Sequence, residues 1–138
     1  MLGAGMLAGL LAVGAVSMQA QGAPGAPLAE AAMRGDEARV RTLLAARADV
    51  DQALGDGMTA LHWAARRGHL ALVQALLDAG ARPAAVTRLG GYTPLHLAAQ
   101  EGAGAVVRAL LDKGANPAAL TTTGAAPLHF AAASGRVE

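Results

Sequence analysis

The chain has 138 residues and is 54% hydrophobic, yet only Trp63, Tyr92 and Phe130 are aromatic, and its net charge is +1. Alanine supplies much of this hydrophobic content and glycine is abundant beside it, which favours closely packed short helices over a sandwich or barrel of bulky branched side chains. A charged fraction of 15% argues against disorder. The near-neutral net charge provides no basic surface for binding nucleic acid. The lack of cysteine excludes disulfides and thiolate zinc sites.

The N-terminal segment carries no charged side chain before Glu30. Residues 2–16 are apolar or small, and this run is shorter than the roughly 20 residues of a membrane-spanning helix. We therefore predict a signal peptide over residues 1–22, with small residues suited to cleavage at 15–17 or 20–22, and a linker over 23–27. No basic residue precedes the apolar run, so an uncleaved membrane anchor and a disordered or helical extension are the alternatives, which would leave the protein at the inner membrane or in the cytoplasm.

A cleaved signal would place the protein in the periplasm or outside the cell. Ten of the eleven basic residues are arginine, and Lys113 is the one lysine. Together with the alanine content, this usage indicates a bacterial genome rich in GC.

The rest of the chain repeats with a period of 33 or 34 residues. The strings TALHWAARRGHLALVQALLDAGA and TPLHLAAQEGAGAVVRALLDKGA begin at Thr59 and Thr93, and related strings begin at Ala26 and Ala126. A period of this length predicts a repeat solenoid. We place one repeat domain over 28–138, with units at about 26–58, 59–92, 93–125 and an incomplete fourth unit at 126–138.

Each unit is predicted to hold two short antiparallel helices. In the second unit, a first helix over 59–67 begins at a capping threonine and ends before Gly68, and a second over 70–79 carries apolar residues at helical spacing. Turns rich in glycine join the units. Because helices this short cannot bury their own apolar faces, the units must stack on one another, and we predict an all-α fold.

These motifs resemble the ankyrin repeat family. The resemblance rests on TALHxAAxxGH from Thr59, TPLHxAAxxG from Thr93 and the LLxxGA endings from Leu76 and Leu110, and it covers residues 26–138. It implies an all-α solenoid of helix-turn-helix units joined by projecting β-turns, called fingers, with a concave face that binds protein.

Some positions depart from the repeat pattern. Arg39 stands where later units have Leu72 and Val106, so the first unit is predicted to be a capping unit with an open face. The finger over 84–92 has one extra residue, and Ala126 lacks the hydroxyl of the equivalent threonines.

Two further departures concern the last two units. Gly104 is expected to weaken the second helix of the third unit by about 1 kcal/mol. The sequence ends at Glu138, where a second helix of the fourth unit would begin, and we expect a fragment of a longer array. A complete chain that pairs this edge with a partner or a second copy is the alternative.

The motif histidines His62, His96 and His129 recur one unit apart. Stacked helices lie about 8–10 Å apart, whereas zinc holds nitrogen ligands at about 2.1 Å, so these residues cannot share one ion. We predict that they are structural and tie each turn to the adjacent repeat, as part of a motif with Thr59 and Thr93. No catalytic pair, phosphate loop or triad is evident, so we expect no metal, no cofactor and no enzyme.

The resemblance places partner contacts on the finger tips and on the exposed end of each first helix. Tyrosine and arginine are the residue types that most often dominate interfaces. A solvated helix end is the alternative for Arg66 and Arg67, packing within its own finger is the alternative for Tyr92, and Trp63 is predicted to pack. The candidate residues are Gly55, Asp56, Met58, Arg66, Arg67, Arg88, Leu89, Tyr92, Gln100, Glu101, Thr122, Thr123 and Ala125.

The predicted function is therefore non-covalent binding of another protein. We expect no nucleic acid and no small-molecule substrate, and a membrane only through the N-terminal segment if it stays uncleaved. The alternatives are a structural or assembly segment of a longer array, and the accessory part of an enzyme whose catalytic domain lies beyond Glu138.

Overall fold

A computed structural model describes residues 26–134 of the chain. The predicted signal peptide, residues 23–25 of the predicted linker and the last residues of the fourth unit, 135–138, lie outside the described residues. The helices are α1 (Pro27–Arg34), α2 (Glu37–Ala45), α3 (Ala60–Arg67), α4 (Leu70–Asp78), α5 (Pro94–Glu101), α6 (Gly104–Asp112) and α7 (Pro127–Ser134). Within this part of the chain, no helix has the length and apolar character needed to span a membrane.

The helices form two layers. The first helices of the units, α1, α3, α5 and α7, pack side by side in an inner layer, and α2, α4 and α6 pack along the outer side of that stack. The described residues contain no strand. The predicted all-α solenoid of stacked helix-turn-helix units is confirmed.

The inner helices begin at threonine caps. The Thr59 hydroxyl accepts a hydrogen bond from the His62 backbone N–H at 3.3 Å, and His62 Nδ1 accepts one from the Thr59 backbone N–H at 3.1 Å. Thr93 and His96 repeat this reciprocal cap. Each such cap satisfies two backbone donors that the first turn of a helix leaves unpaired, so the repeated motif fixes where α3 and α5 start.

The core consists of leucines between layers of alanine. Leu61, Leu72, Leu76 and Leu95 are buried, and each contributes about 1.5–3 kcal/mol relative to an exposed side chain. Buried alanines of the inner helices, such as Ala64 and Ala98, allow neighbouring helices to approach closely. The core therefore runs as a continuous strip from unit to unit and is not one central cluster.

The first unit begins at the residues where its repeat string starts. Ala26 is fully buried and Pro27 is the first residue of α1, so these two residues, at the boundary between the predicted linker and the first unit, belong to the folded unit. Proline suits this position because its fixed φ matches the helix and its missing N–H would be unpaired there anyway. In α2, Arg39 is exposed, whereas Leu72 and Val106 at the equivalent positions are buried.

The outer helices differ in how they begin. Asp36 caps α2 by accepting a hydrogen bond from the Arg39 backbone N–H at 3.0 Å, and His69 at the equivalent position of α4 accepts a longer one of 3.4 Å from the Leu72 N–H. Ala103, at the same position before α6, makes no side-chain cap.

Replacing Ala103 by aspartate should therefore raise the free energy of unfolding by about 1 kcal/mol, because it supplies the missing acceptor. The measurement is chemical denaturation followed by circular dichroism. The matched control is Asp36→Ala, which should lower the free energy of unfolding by a similar amount, about 1 kcal/mol. No gain from Ala103→Asp, with a loss from Asp36→Ala, would mean that α6 starts in a different way.

Candidate functional site

Three fingers project between the units. They comprise residues 54–58, 87–92 and 121–125, and in each the N–H of the first residue donates to the C=O of the last, at 3.0, 3.0 and 2.9 Å respectively. The second finger is longer by one residue, as the sequence predicted, and accommodates it with two glycines of positive φ, Gly90 and Gly91.

Neighbouring fingers are joined through their backbones. The Arg88 N–H donates to the Asp56 C=O at 2.9 Å, and the Thr122 N–H donates to the Gly90 C=O at 2.9 Å. The first two fingers approach so closely that a Cβ on Gly57 would lie 2.7 Å from the Arg88 backbone nitrogen. The finger tips therefore form one connected surface.

Each motif histidine of the second and third units also holds the following finger, in what we call a histidine bridge. His62 Nε2 lies 2.9 Å from the Tyr92 C=O, and His96 Nε2 lies 3.0 Å from the Ala125 C=O. Because Nδ1 of each ring already accepts the threonine backbone N–H, we assign the proton to Nε2, which donates to the carbonyl. The first unit has Ala29 at this position and cannot make the bridge.

Burial lowers the pKa of His62 below its ordinary value of 6.5, because the charged ring would lose its hydration. The hydrogen bond to the Tyr92 backbone opposes this effect but does not overcome it. The ring is fully buried, so the neutral form is the one that the fold accommodates.

The lowered pKa predicts a dependence of stability on pH. His62 binds a proton near pH 6.5 in the unfolded chain and only at a lower pH in the folded chain, so its contribution is complete above pH 6.5 and is lost as the pH falls toward the lowered folded value. The expected slope is at most about 1.4 kcal/mol per pH unit. The measurement is denaturant unfolding at about pH 7.5 and about pH 5.5.

The control for this prediction is His62→Gln, which cannot titrate. The variant is less stable overall because it loses the bridge, but its stability should change less between the two pH values than that of the unaltered chain. Equal pH dependence in the two proteins would assign the effect to other groups.

A groove of about 290 Å³ lies where the first two fingers meet the inner helices α3 and α5. It brings together six of the residues predicted to bind a partner: Asp56, Met58, Arg66, Leu89, Tyr92 and Gln100. The sequence missed Thr87 and Leu97, which also line it. Leu97 occupies the motif position of Trp63, so the repeat register was the signal that could have identified it.

Arg66 stands at the end of α3 beside the groove. Its guanidinium carbon lies 5.6 Å from the centre of the Trp63 ring, within the range of a cation–π contact. Gln100 is the equivalent residue on α5, and both side chains are exposed. The Trp63 Nε1–H is buried and meets no acceptor among the described residues.

Tyr92 packs between units as well as lining the groove. Its ring makes edge contacts with His96 and Phe130, at centroid distances of 6.3 and 5.6 Å. The ring also lies against Gly90, where a Cβ would collide with it. Tyr92 is thus half-buried and contacts its own finger and the next two units, so packing within its own finger describes part of its environment, and partner contact stays a prediction.

The other predicted contact residues lie outside this groove. Arg88, Thr122 and Thr123 are exposed on the finger tips, and Glu101 is exposed at the end of α5. Arg67 lies at the opposite end of the inner helices from the fingers. Its guanidinium is close to Gly35, where an added Cβ would lie 2.9 Å from a guanidinium nitrogen.

Met58, which lines the groove, is only 7% exposed, so it forms part of the groove wall and not a projecting contact.

The described residues contain no group of three histidine or acidic side chains that could hold a metal ion. His129 is exposed, and its Nδ1 accepts the Ala126 backbone N–H at 2.8 Å without a neighbouring hydroxyl, because Ala126 replaces the threonine of the other units. The ionisable groups of the groove are Asp56, Arg66 and Tyr92. This arrangement is suited to contacts of charge, hydrogen bonding and apolar surface.

Comparison with known proteins agrees with this architecture. The family model described as "Ankyrin repeats (3 copies)" matches residues 28–120 and 84–138. The human protein "Ankyrin repeat domain-containing protein 39" is 46% identical to this chain over 57 residues, which cover 41% of this chain and 31% of that protein. The chain thus matches about a third of the length of that relative.

Proposed function

Because this chain belongs to the ankyrin repeat family, whose members are generally protein-interaction modules, we propose that it binds a partner protein non-covalently through its finger tips and the adjoining groove. The observation that carries the proposal is the groove itself, which gathers six of the candidate contact residues at one place. The backbone bonds between fingers and the histidine bridges hold much of this surface in position before a partner arrives, which reduces the entropy cost of association.

The finger tip of the second unit is the best place to test this proposal. Leu89 is 82% exposed and lies beside the exposed Arg88, so both can be changed without loss of a packed contact. Tyr92 is less suitable, because its substitution would also remove the ring contacts to His96 and Phe130.

The experiment places a photo-crosslinking amino acid at position 89 of the full chain and, as a control, at position 39 on the outer layer. We expect a partner protein to be crosslinked from position 89 and not from position 39, and Arg88→Ala to reduce the yield. Crosslinks of equal strength from both positions would contradict a specific finger surface.

A second candidate function is assembly through the edge formed by α5, α6 and α7. An apolar groove of about 510 Å³ lies there, with Leu128 69% exposed and Leu111 39% exposed. A helix whose apolar residues are spaced as in α4 would pack against this edge. Within the protein, α4 and α6 pack in the same way against the inner helices of their own units. If the protein assembles through this edge, Leu128→Asp should abolish its association and leave the crosslinks from position 89 unchanged. If the protein instead binds through its fingers, Arg88→Ala should reduce the crosslinks from position 89 and Leu128→Asp should leave binding unchanged.

We also propose that the protein is exported from a bacterial cell. The support is the uncharged apolar run over residues 2–16 ahead of the repeat domain. Mass measurement of the protein recovered from the periplasm should show loss of about the first 22 residues. Recovery of the uncleaved chain from the cytoplasm would contradict this proposal.

A further inference from the structure

The groove between the first two fingers and the inner helices has a chemical character that narrows the kind of partner. This step rests on the proposed function and asks which feature of a partner the groove would recognise. Its exposed cation is Arg66, and its apolar surface comes mainly from Met58, Leu89 and Leu97.

Arg66 makes no ion pair with any carboxylate of the described residues. Asp56 lines the same groove, but it lies beyond ion-pair distance of the Arg66 guanidinium, and its Oδ1 accepts the Met58 backbone N–H at 2.9 Å within its own finger. The contact with the Trp63 ring orients the guanidinium while leaving its N–H donors available.

The cation is specific to this place in the stack. At the position of Arg66, the units on either side have Met33 and Gln100, so this row of the inner helices carries one positive charge in these three units. Among the unmodified side chains of a partner protein, the planar donor fork of an arginine pairs best with a carboxylate, which accepts two parallel hydrogen bonds.

The apolar side of the groove lies next to this cation. Leu89 is 82% exposed on the second finger, whereas Met58 and Leu97 are each 7% exposed and form the groove wall. A partner side chain placed here would cover Leu89 and gain the contacts that an exposed leucine lacks. The fingers and inner helices leave an open groove and not a closed cavity, which suits an extended segment of chain.

We propose that this groove binds an extended internal segment of the partner protein in which an aspartate or glutamate stands beside a large apolar residue. Arg66 binds the side-chain carboxylate, and Leu89, with the groove wall formed by Met58 and Leu97, receives the apolar side chain. Gln100 lies on the same groove and provides an amide for the backbone of the segment.

The test is selection from a library of short random peptides, each fused at its C-terminus to a phage coat protein so that no free terminal carboxylate is present. The full chain, Arg66→Gln and Arg39→Gln serve as targets. Glutamine is the residue that the next unit carries at this position, so Arg66→Gln should fold normally, and circular dichroism checks this. Arg39→Gln is the matched control, because Arg39 is equally an exposed arginine but lies on the outer layer.

We expect peptides selected on the unaltered chain to be enriched in an acidic residue next to leucine, isoleucine or phenylalanine. Their affinity should fall roughly tenfold or more on Arg66→Gln and by less than about twofold on Arg39→Gln. Binding should also weaken as salt is added.

Enriched peptides that lack acidic residues, or that bind Arg66→Gln as well as the unaltered chain, would overturn this inference and leave the proposed finger surface intact. No enrichment would also overturn it. If crosslinking from position 89 failed as well, the proposed function itself would be wrong.

Discussion

Replacing Leu76 by alanine is expected to lower the free energy of unfolding by about 3 kcal/mol. Leu76 lies on α4 with no exposed surface, in the strip of core that joins the second unit to its neighbours. The substitution removes buried methyl groups and leaves a cavity that the packed helices can only partly fill. Because each unit depends on its neighbours for burial, the loss should appear in the unfolding of the whole stack.

The measurement is urea denaturation followed by circular dichroism, with Leu89→Ala as the matched control. Leu89 is the same residue type but is 82% exposed, so its truncation should change the free energy of unfolding by no more than about 0.5 kcal/mol. Similar losses in the two variants would mean that the core does not run through α4 as described.

Replacing Gly57 by alanine is expected to lower the free energy of unfolding by about 2 kcal/mol or more. The residue has φ of +84°, in the region that disfavours any side chain, and its Cβ would lie 2.7 Å from the Arg88 backbone nitrogen. To relieve this collision, the first two fingers would have to separate and break the hydrogen bond from the Arg88 N–H to the Asp56 C=O.

Gly55→Ala is the control in the same finger. A Cβ at Gly55 meets nothing within 4 Å, and its φ is not positive, so the change should be close to neutral. Crosslinking from position 89 gives a second readout, because separation of the fingers by Gly57→Ala should reduce its yield. Equal stability of the two variants would contradict the close approach of the fingers.

The repeat architecture could be predicted because its signals are local and recur. Thr59 and Thr93 mark where α3 and α5 begin, since a threonine cap needs only the first turn of its own helix. The second helix of the second unit was predicted over 70–79 and is observed as Leu70–Asp78, because the apolar spacing and the following glycine are both visible in the sequence.

The surface was harder to predict because it depends on contacts between units. Whether Tyr92 is free or packed depends on Phe130, which lies in a different unit. Arg66 and Arg67 are adjacent in the sequence, but Arg66 lies over Trp63 at the groove and Arg67 lies against Gly35. Helical periodicity separates their directions, but only the stacked neighbours determine what each side chain meets.

The histidine bridges constrain the two fingers of the groove unequally. The second finger is held at the Tyr92 carbonyl by His62, whereas the first unit has Ala29 in place of a histidine, so the Met58 carbonyl of the first finger has no such donor. Amide hydrogen exchange should therefore be faster in residues 54–58 than in residues 87–92. A partner would meet a rigid second finger, which sets the register of binding, and an adjustable first finger, which can adapt to side chains of different size.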